Sequence, residues 1–88
     1  VDPQVLEAAL RLRQELPART GLEATAIRYE EQRGLLVVAQ SGLEVLFGSG
    51  DDLDSKLAVL QSVLEVSRAE DRELHFVDVR FKNRPYFR

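Results

Sequence analysis

Five consecutive apolar residues, Leu35-Leu36-Val37-Val38-Ala39, stand between Gly34 and Ser41-Gly42. A run this short and this uniformly apolar reads as a strand buried on both faces, so Leu35–Gln40 belongs in the centre of a β-sheet and needs neighbours on either side. The flanking sequence supplies them. Ala24–Glu31, carrying Ile27 and Tyr29, leads in across Gln32-Arg33-Gly34. Leu43–Phe47 leads out across Ser41-Gly42, with Leu43, Val45 and Phe47 alternating against Glu44 and Leu46. Both connections are short enough for hairpin turns, and each holds a glycine able to take positive φ. Residues 24–47 therefore predict a three-strand antiparallel meander.

A helix is expected on each side of it. Asp2 suits an N-cap and Pro3 the first helical position, where a missing N–H costs nothing. Val5, Ala9, Leu12 and Leu16 follow at helical spacing, with Leu6 and Leu10 widening the stripe. Pro17 is expected to end this helix and Thr20-Gly21 to turn the chain. Gly48-Ser49-Gly50 breaks the sheet, and a second helix opens at Asp51-Asp52, whose carboxylates suit a helix N-terminus. Leu53, Leu57, Leu60, Val63 and Leu64 form its apolar face. Ser67–Arg72 reads as a polar loop before a last strand, Glu73–Phe81. The expected fold is a two-layer α+β domain: helix, three-strand antiparallel meander, helix, C-terminal strand, with both helices on one face of an antiparallel sheet.

With 88 residues, 44% hydrophobic and 31% charged, the chain makes one domain, 1–88, with one thin core. It has no cysteine, which excludes a disulfide and any cysteine-based metal site. No stretch approaches the roughly 18–20 apolar residues that cross a bilayer. The inventory also argues against catalysis. His75 is the one histidine, and it reads as an exposed strand residue rather than a general base. Gly48-Ser49-Gly50 resembles a nucleophile elbow only loosely. Asp51, Asp52 and Asp54 lack the spacing of a calcium loop and read as helix-capping groups. No cofactor, metal site or catalytic residue is expected.

The C-terminal segment carries the functional signal. Val77, Val79 and Phe81 alternate with Asp78, Arg80 and Lys82, and a basic, aromatic tail follows to Arg88. From Arg72 onward there are five Lys/Arg against two Asp/Glu, on a chain of net charge −3. A terminal strand at a sheet edge offers free N–H and C=O groups to an incoming strand. Arg80 and Lys82 would face one side and Phe81 the other, with Arg80 able to form a bidentate pair with a carboxylate. Pro85 would limit the length of such pairing. The plainer reading of Phe81, Tyr86 and Phe87 is that they close the core, and Val77 and Val79 read as core outright. A competing function is a small RNA-binding α/β module using the basic C-terminal strand. The α-β-β-β-α order fits it, but the second helix opens with three carboxylates where a phosphate grip needs cations. A third reading has the open edge pairing two copies weakly.

Taken in order, Gly42-Leu-Glu-Val-Leu-Phe-Gly48, Asp51-Asp-Leu-Asp-Ser-Lys-Leu57, and Val77-Asp-Val-Arg-Phe81 with Arg84-Pro-Tyr86 resemble the C-terminal β-domain of the FtsQ/DivIB bacterial cell-division proteins. The resemblance covers roughly residues 3–88. It implies a non-enzymatic scaffold of the divisome that binds FtsB/DivIC- and FtsL-type proteins by strand addition, supporting septum assembly. It also implies a location on the extracytoplasmic side of the cell membrane, in a parent protein with a cytoplasmic tail, one transmembrane helix and a POTRA domain, none of which lies in these residues. In that family an acidic partner residue meets the arginine of the last strands. By position this is Arg80, with Phe81 beside it, and Lys82, Arg84, Tyr86 and Phe87 complete the expected partner site. Lys56 matches a family position and reads as structural, its stem packed and its amine bound to a carboxylate or carbonyl.

Overall fold

The computed structural model describes residues 3–81 and 83–88. Its elements run α1 (Pro3–Thr20), β1 (Ala24–Glu30), β2 (Gly34–Ala39), β3 (Glu44–Gly48), α2 (Leu53–Ala69), β4 (Phe76–Asp78) and β5 (Tyr86–Phe87). The strands form one sheet in sequence order, β1-β2-β3-β4-β5. The two short turns make β1–β2 and β2–β3 antiparallel, so the apolar run of β2 is paired on both sides. Both helices cover one face. Ala8, Leu12 and Leu16 of α1 and Leu53, Leu57, Leu60, Val63 and Leu64 of α2 meet Leu35, Val37, Val45, Phe47, Val77 and Val79 in a single buried cluster. This is the two-layer α+β order that the sequence implies.

The sheet is mixed, however, not wholly antiparallel: β4 runs parallel to β3. The cause is α2, which carries the chain back along the sheet, so that the next strand enters beside β3 in the same direction. The last strand is also shorter than Glu73–Phe81. Ladder pairing covers Phe76–Asp78, and the Val79 N–H donates to the Leu46 carbonyl at 3.0 Å. The chain then turns, with the Arg84 N–H donating to the Phe81 carbonyl at 2.9 Å, and returns as β5 antiparallel to β4.

The helices differ from expectation at their ends. α1 continues through Pro17 to Thr20. Pro17 lies on the exposed side, while Leu16 and Thr20 stay buried on the stripe that the helix must cover. The Thr20 hydroxyl donates to the Leu16 carbonyl at 2.7 Å. The Gly21 N–H donates to the Pro17 carbonyl at 3.0 Å, and its φ of +79° ends the helix. The buried stripe is Ala8, Leu12, Leu16 and Thr20, narrower than the sequence suggests, leaving Leu6 and Leu10 exposed. The expected cap, Asp2, lies outside the described residues. At the start of α2, Asp52 takes a left-handed conformation (φ 59°) and its side chain makes no capping bond. α2 runs on to Ala69, past the expected loop at Ser67, because Ser67 continues the buried Leu60–Leu64 stripe and donates its hydroxyl to the Arg72 carbonyl.

Candidate partner-binding edge

Val77 and Val79 are fully buried against the helices, so strand alternation sends Phe76, Asp78 and Arg80 to the opposite, uncovered face. Pairing register aligns Arg28, Leu36, Leu46, Asp78 and Tyr86 in one row across that face. Leu36 and Leu46 are buried there without helical cover.

The outer side of β4 is already occupied. Val77 pairs with Phe87 and Asp78 with Tyr86, and the N–H groups of His75 and Phe76 donate to the Arg88 carbonyl at 2.7 and 3.1 Å. The free C-terminal edge of the sheet is therefore β5, not the strand carrying Val77 and Val79. Two residues are too short a ladder to stand on hydrogen bonds alone, and aromatic contacts add to it. The Phe76 and Tyr86 rings lie 6.2 Å apart, and the guanidinium of Arg72 lies 5.8 Å from the Phe87 ring. Arg88 stacks likewise on Phe76 at 5.4 Å.

Arg80 is not the unpartnered arginine that an edge position suggests. Its Nε donates to Asp78 Oδ1 and Oδ2 at 3.1 and 3.2 Å, and its Nη2 donates to Oδ2 at 2.9 Å. Its backbone N–H also donates to Asp78 Oδ1, at 3.0 Å. The Asp78 side chain is 13% exposed and that of Arg80 32%. Desolvation pushes the Asp78 carboxyl up, but the bonds and charge of Arg80 outweigh it and hold the group below the usual range. The arginine stem crosses Gly48, where a Cβ would stand 2.8 Å from the Arg80 Cγ. A glycine is doubly required at that point, since Gly48 has φ +76°. Gly34 faces it so closely that a Cβ there would lie 2.3 Å from the Gly48 carbonyl oxygen.

The other expected site residues fall around this pair. Phe81 is 64% exposed, so it does not close the core, and its ring lies 5.3 Å from the Arg80 guanidinium carbon. Tyr86 is 56% exposed, whereas Phe87 is partly buried against the core cluster. Arg84 is exposed in the turn, next to Arg80, Phe81 and Asn83. Lys82 lies outside the described residues. Because the chain turns after Val79, Arg80 and Phe81 do not stand on opposite faces of an extended strand, as alternation would place them. Asp78 was missed as a site residue, although an Asp two positions before an Arg on one strand face signals such a pair. Arg33 was missed too: it lines a groove of about 440 Å³ with Tyr29, Lys56, Arg80 and Phe81, and its charge reaches Asp78. Its own guanidinium is bound to Glu30. Lys56 is buried with Nζ 3.0 Å from the Ser49 carbonyl, holding the β3–α2 connection.

Among the described residues no cluster of His, Asp and Glu could hold a metal ion, and no helix is long and apolar enough to cross a membrane. The described residues form a short mixed sheet with two helices on one face and an aromatic, arginine-bearing edge. The family model for the C-terminal part of the cell division protein FtsQ/DivIB matches residues 1–80, and the chain belongs to that family. No curated protein and no solved structure matches it. As a member, it is a non-enzymatic scaffold domain of the bacterial division machinery that binds FtsB/FtsL-type proteins by strand addition, and it is extracytoplasmic. The match ends at Arg80, so Phe81, Lys82, Arg84, Tyr86 and Phe87 lie beyond it.

Proposed function

We propose that the partner strand adds along β5, with Arg80 receiving an acidic partner residue and with Phe81, Tyr86 and Phe87 packing its side chains. Arg84 forms the basic rim, and Arg33 flanks the site from the turn before β2. The observation that carries this reading is the pairing of β5: its inner side is spent on β4, its outer side meets no strand among the described residues, and exposed aromatics flank it. Backbone pairing supplies affinity in such an arrangement, while the arginine and the rings supply selectivity. The partner is of the FtsB/DivIC type in complex with an FtsL-type protein. The parent protein is anchored by a single membrane helix and works at the septum.

The test is a ¹⁵N titration of this chain with the membrane-distal segment of an FtsB/DivIC-type partner. Shifts concentrated on Phe76–Arg88, and abolished by Arg80→Glu, are expected. Shifts centred on β1 would move the site to the other edge of the sheet. The RNA-binding reading is left with little: Arg80 and Arg33 are already paired with carboxylates, and binding to duplex RNA at low salt would be needed to revive it. Weak self-association through β5 would appear as concentration-dependent sedimentation.

A further inference from the structure

We propose that Asp78 is the positioning residue of this edge: by gripping Arg80 side-on, it presents the far end of the guanidinium to a single partner carboxylate approaching end-on. The inference rests on the β5 reading above and specifies how that site recognises an acid.

A guanidinium has five N–H donors in a fixed fork. Asp78 takes the Nε–H and one N–H of Nη2, at 3.1, 3.2 and 2.9 Å. That leaves both donors of Nη1 and the second of Nη2, none of which has a partner among the described residues. One donor of Nη1 and the second of Nη2 form the end of the fork, and the other Nη1 donor points back along the stem. The stem below them lies on Gly48, and the Phe81 ring lies 5.3 Å from the guanidinium carbon. The same carboxylate fixes the backbone, since Oδ1 accepts the Arg80 N–H at 3.0 Å. Stem, head and main chain of one arginine are thus held before a partner arrives, which removes the ordering cost that a free arginine would bear on binding.

Charge and position pull in opposite directions here, and that makes the inference testable. Asp78 also repels an incoming carboxylate. Two unit charges about 8 Å apart at a wet rim interact weakly, which weakens binding by about a factor of two. Loss of a preorganised charge-assisted pair should cost about tenfold in affinity. Position therefore wins: Asp78→Ala should weaken binding although it removes a repelling charge.

The experiment is calorimetry of this chain and its variants with two peptides, the partner's membrane-distal segment and the same segment with its acidic residue changed to the amide. The unchanged chain should prefer the carboxylate peptide. Asp78→Ala should bind it about tenfold more weakly and lose the preference between the two peptides, whereas mere loosening of the strand would weaken both equally. Asp78→Asn, which keeps an acceptor oxygen for the Arg80 N–H and Nε, should fall between, and it serves if the alanine variant does not fold. Equal or tighter binding of the carboxylate peptide by a folded Asp78 variant would overturn the inference and make Asp78 a competitor. Failure of the unchanged chain to bind either peptide would instead overturn the β5 reading beneath it.

Discussion

The body of the domain, up to Val79, and the strap that follows it are made of different side chains. The buried core of the body is aliphatic apart from Phe47: leucines, valines and alanines on two helices, three strands and the turns beside them. The strap from Arg80 to Arg88 has no fully buried described residue, yet four of the chain's six aromatics lie in or just before it, at Phe76, Phe81, Tyr86 and Phe87. Aliphatic burial scales with area and is indifferent to direction, which suits a core that only has to exclude water. Rings and guanidinium groups add geometry, and they carry most of the energy at binding surfaces. The contrast teaches that this chain separates stability from recognition along its length, with Val77 and Val79 as the joint.

The largest test of that separation is on the body. Phe47 is fully buried at the centre of the cluster, and Phe47→Ala should cost about 3–5 kcal/mol in denaturant unfolding. That is a large share of what an ordinary domain possesses. Any loss of partner binding should then track the fraction unfolded and be recovered under stabilising conditions. A stable Phe47→Ala variant that failed to bind would show body and strap to be coupled.

Arg80→Glu sharpens the boundary. A freely exposed arginine could be changed almost without cost, and the sequence alone suggests as much. The pair with Asp78 changes the expectation. The substitution leaves a largely buried carboxylate without its donors and adds a second beside it, which should cost about 1–3 kcal/mol. Partner binding should disappear as well. Thermal unfolding and calorimetry of the same sample separate the two losses.

Tyr86→Ala probes the strap alone. Tyr86 is more than half exposed and its ring meets only Phe76 among the aromatics, so stability should fall by no more than about 1 kcal/mol, the worth of that pair. Partner affinity should fall by about tenfold, as for a ring at the centre of a binding surface. A large melting shift with unchanged affinity would mean that the ring closes the fold instead.

Much of the body was legible because periodicity is a strong signal where a face is buried. The β2 run, the alternation of β3 and the Leu53–Leu64 stripe each name their element, and the last two also name an inner face. The parallel joint between β3 and β4 was also readable in principle, since a helix between two neighbouring strands imposes it. What escaped were places where tertiary contacts override a local rule. Pro17 is a helix breaker by propensity, yet it sits on the exposed side of α1 while Leu16 and Thr20 on either side of it stay on the buried stripe. β5 is two residues long, too short for any periodicity, and exists because β4 offers it an edge. The direction of Arg80 depends on Asp78 and on the missing side chain at Gly48, two features that composition cannot show together.

The smallest expected effect compares one carboxylate from each region. Asp54, in the body, bridges Arg11 at 2.9 Å and Arg19 at 3.1 Å, and the hydrogen bond from Arg11 chiefly holds its carboxyl below the usual range. Asp78, in the strap's joint, is pushed up by desolvation and pulled down further by Arg80. Both folded values lie below the unfolded one of about 3.9. Each group therefore stabilises the fold above that pH, and the contribution is lost as pH falls through the folded value. Salt should tell them apart. Asp54 is 74% exposed, so its depression should shrink at about 0.5 M salt, while that of Asp78 should persist. Carboxyl titration by NMR at low and high salt reads both groups in one sample. An equal salt response would mean that the Arg80 pair is as open to water as the surface cluster, and a guanidinium held that loosely would not be set in place for a partner.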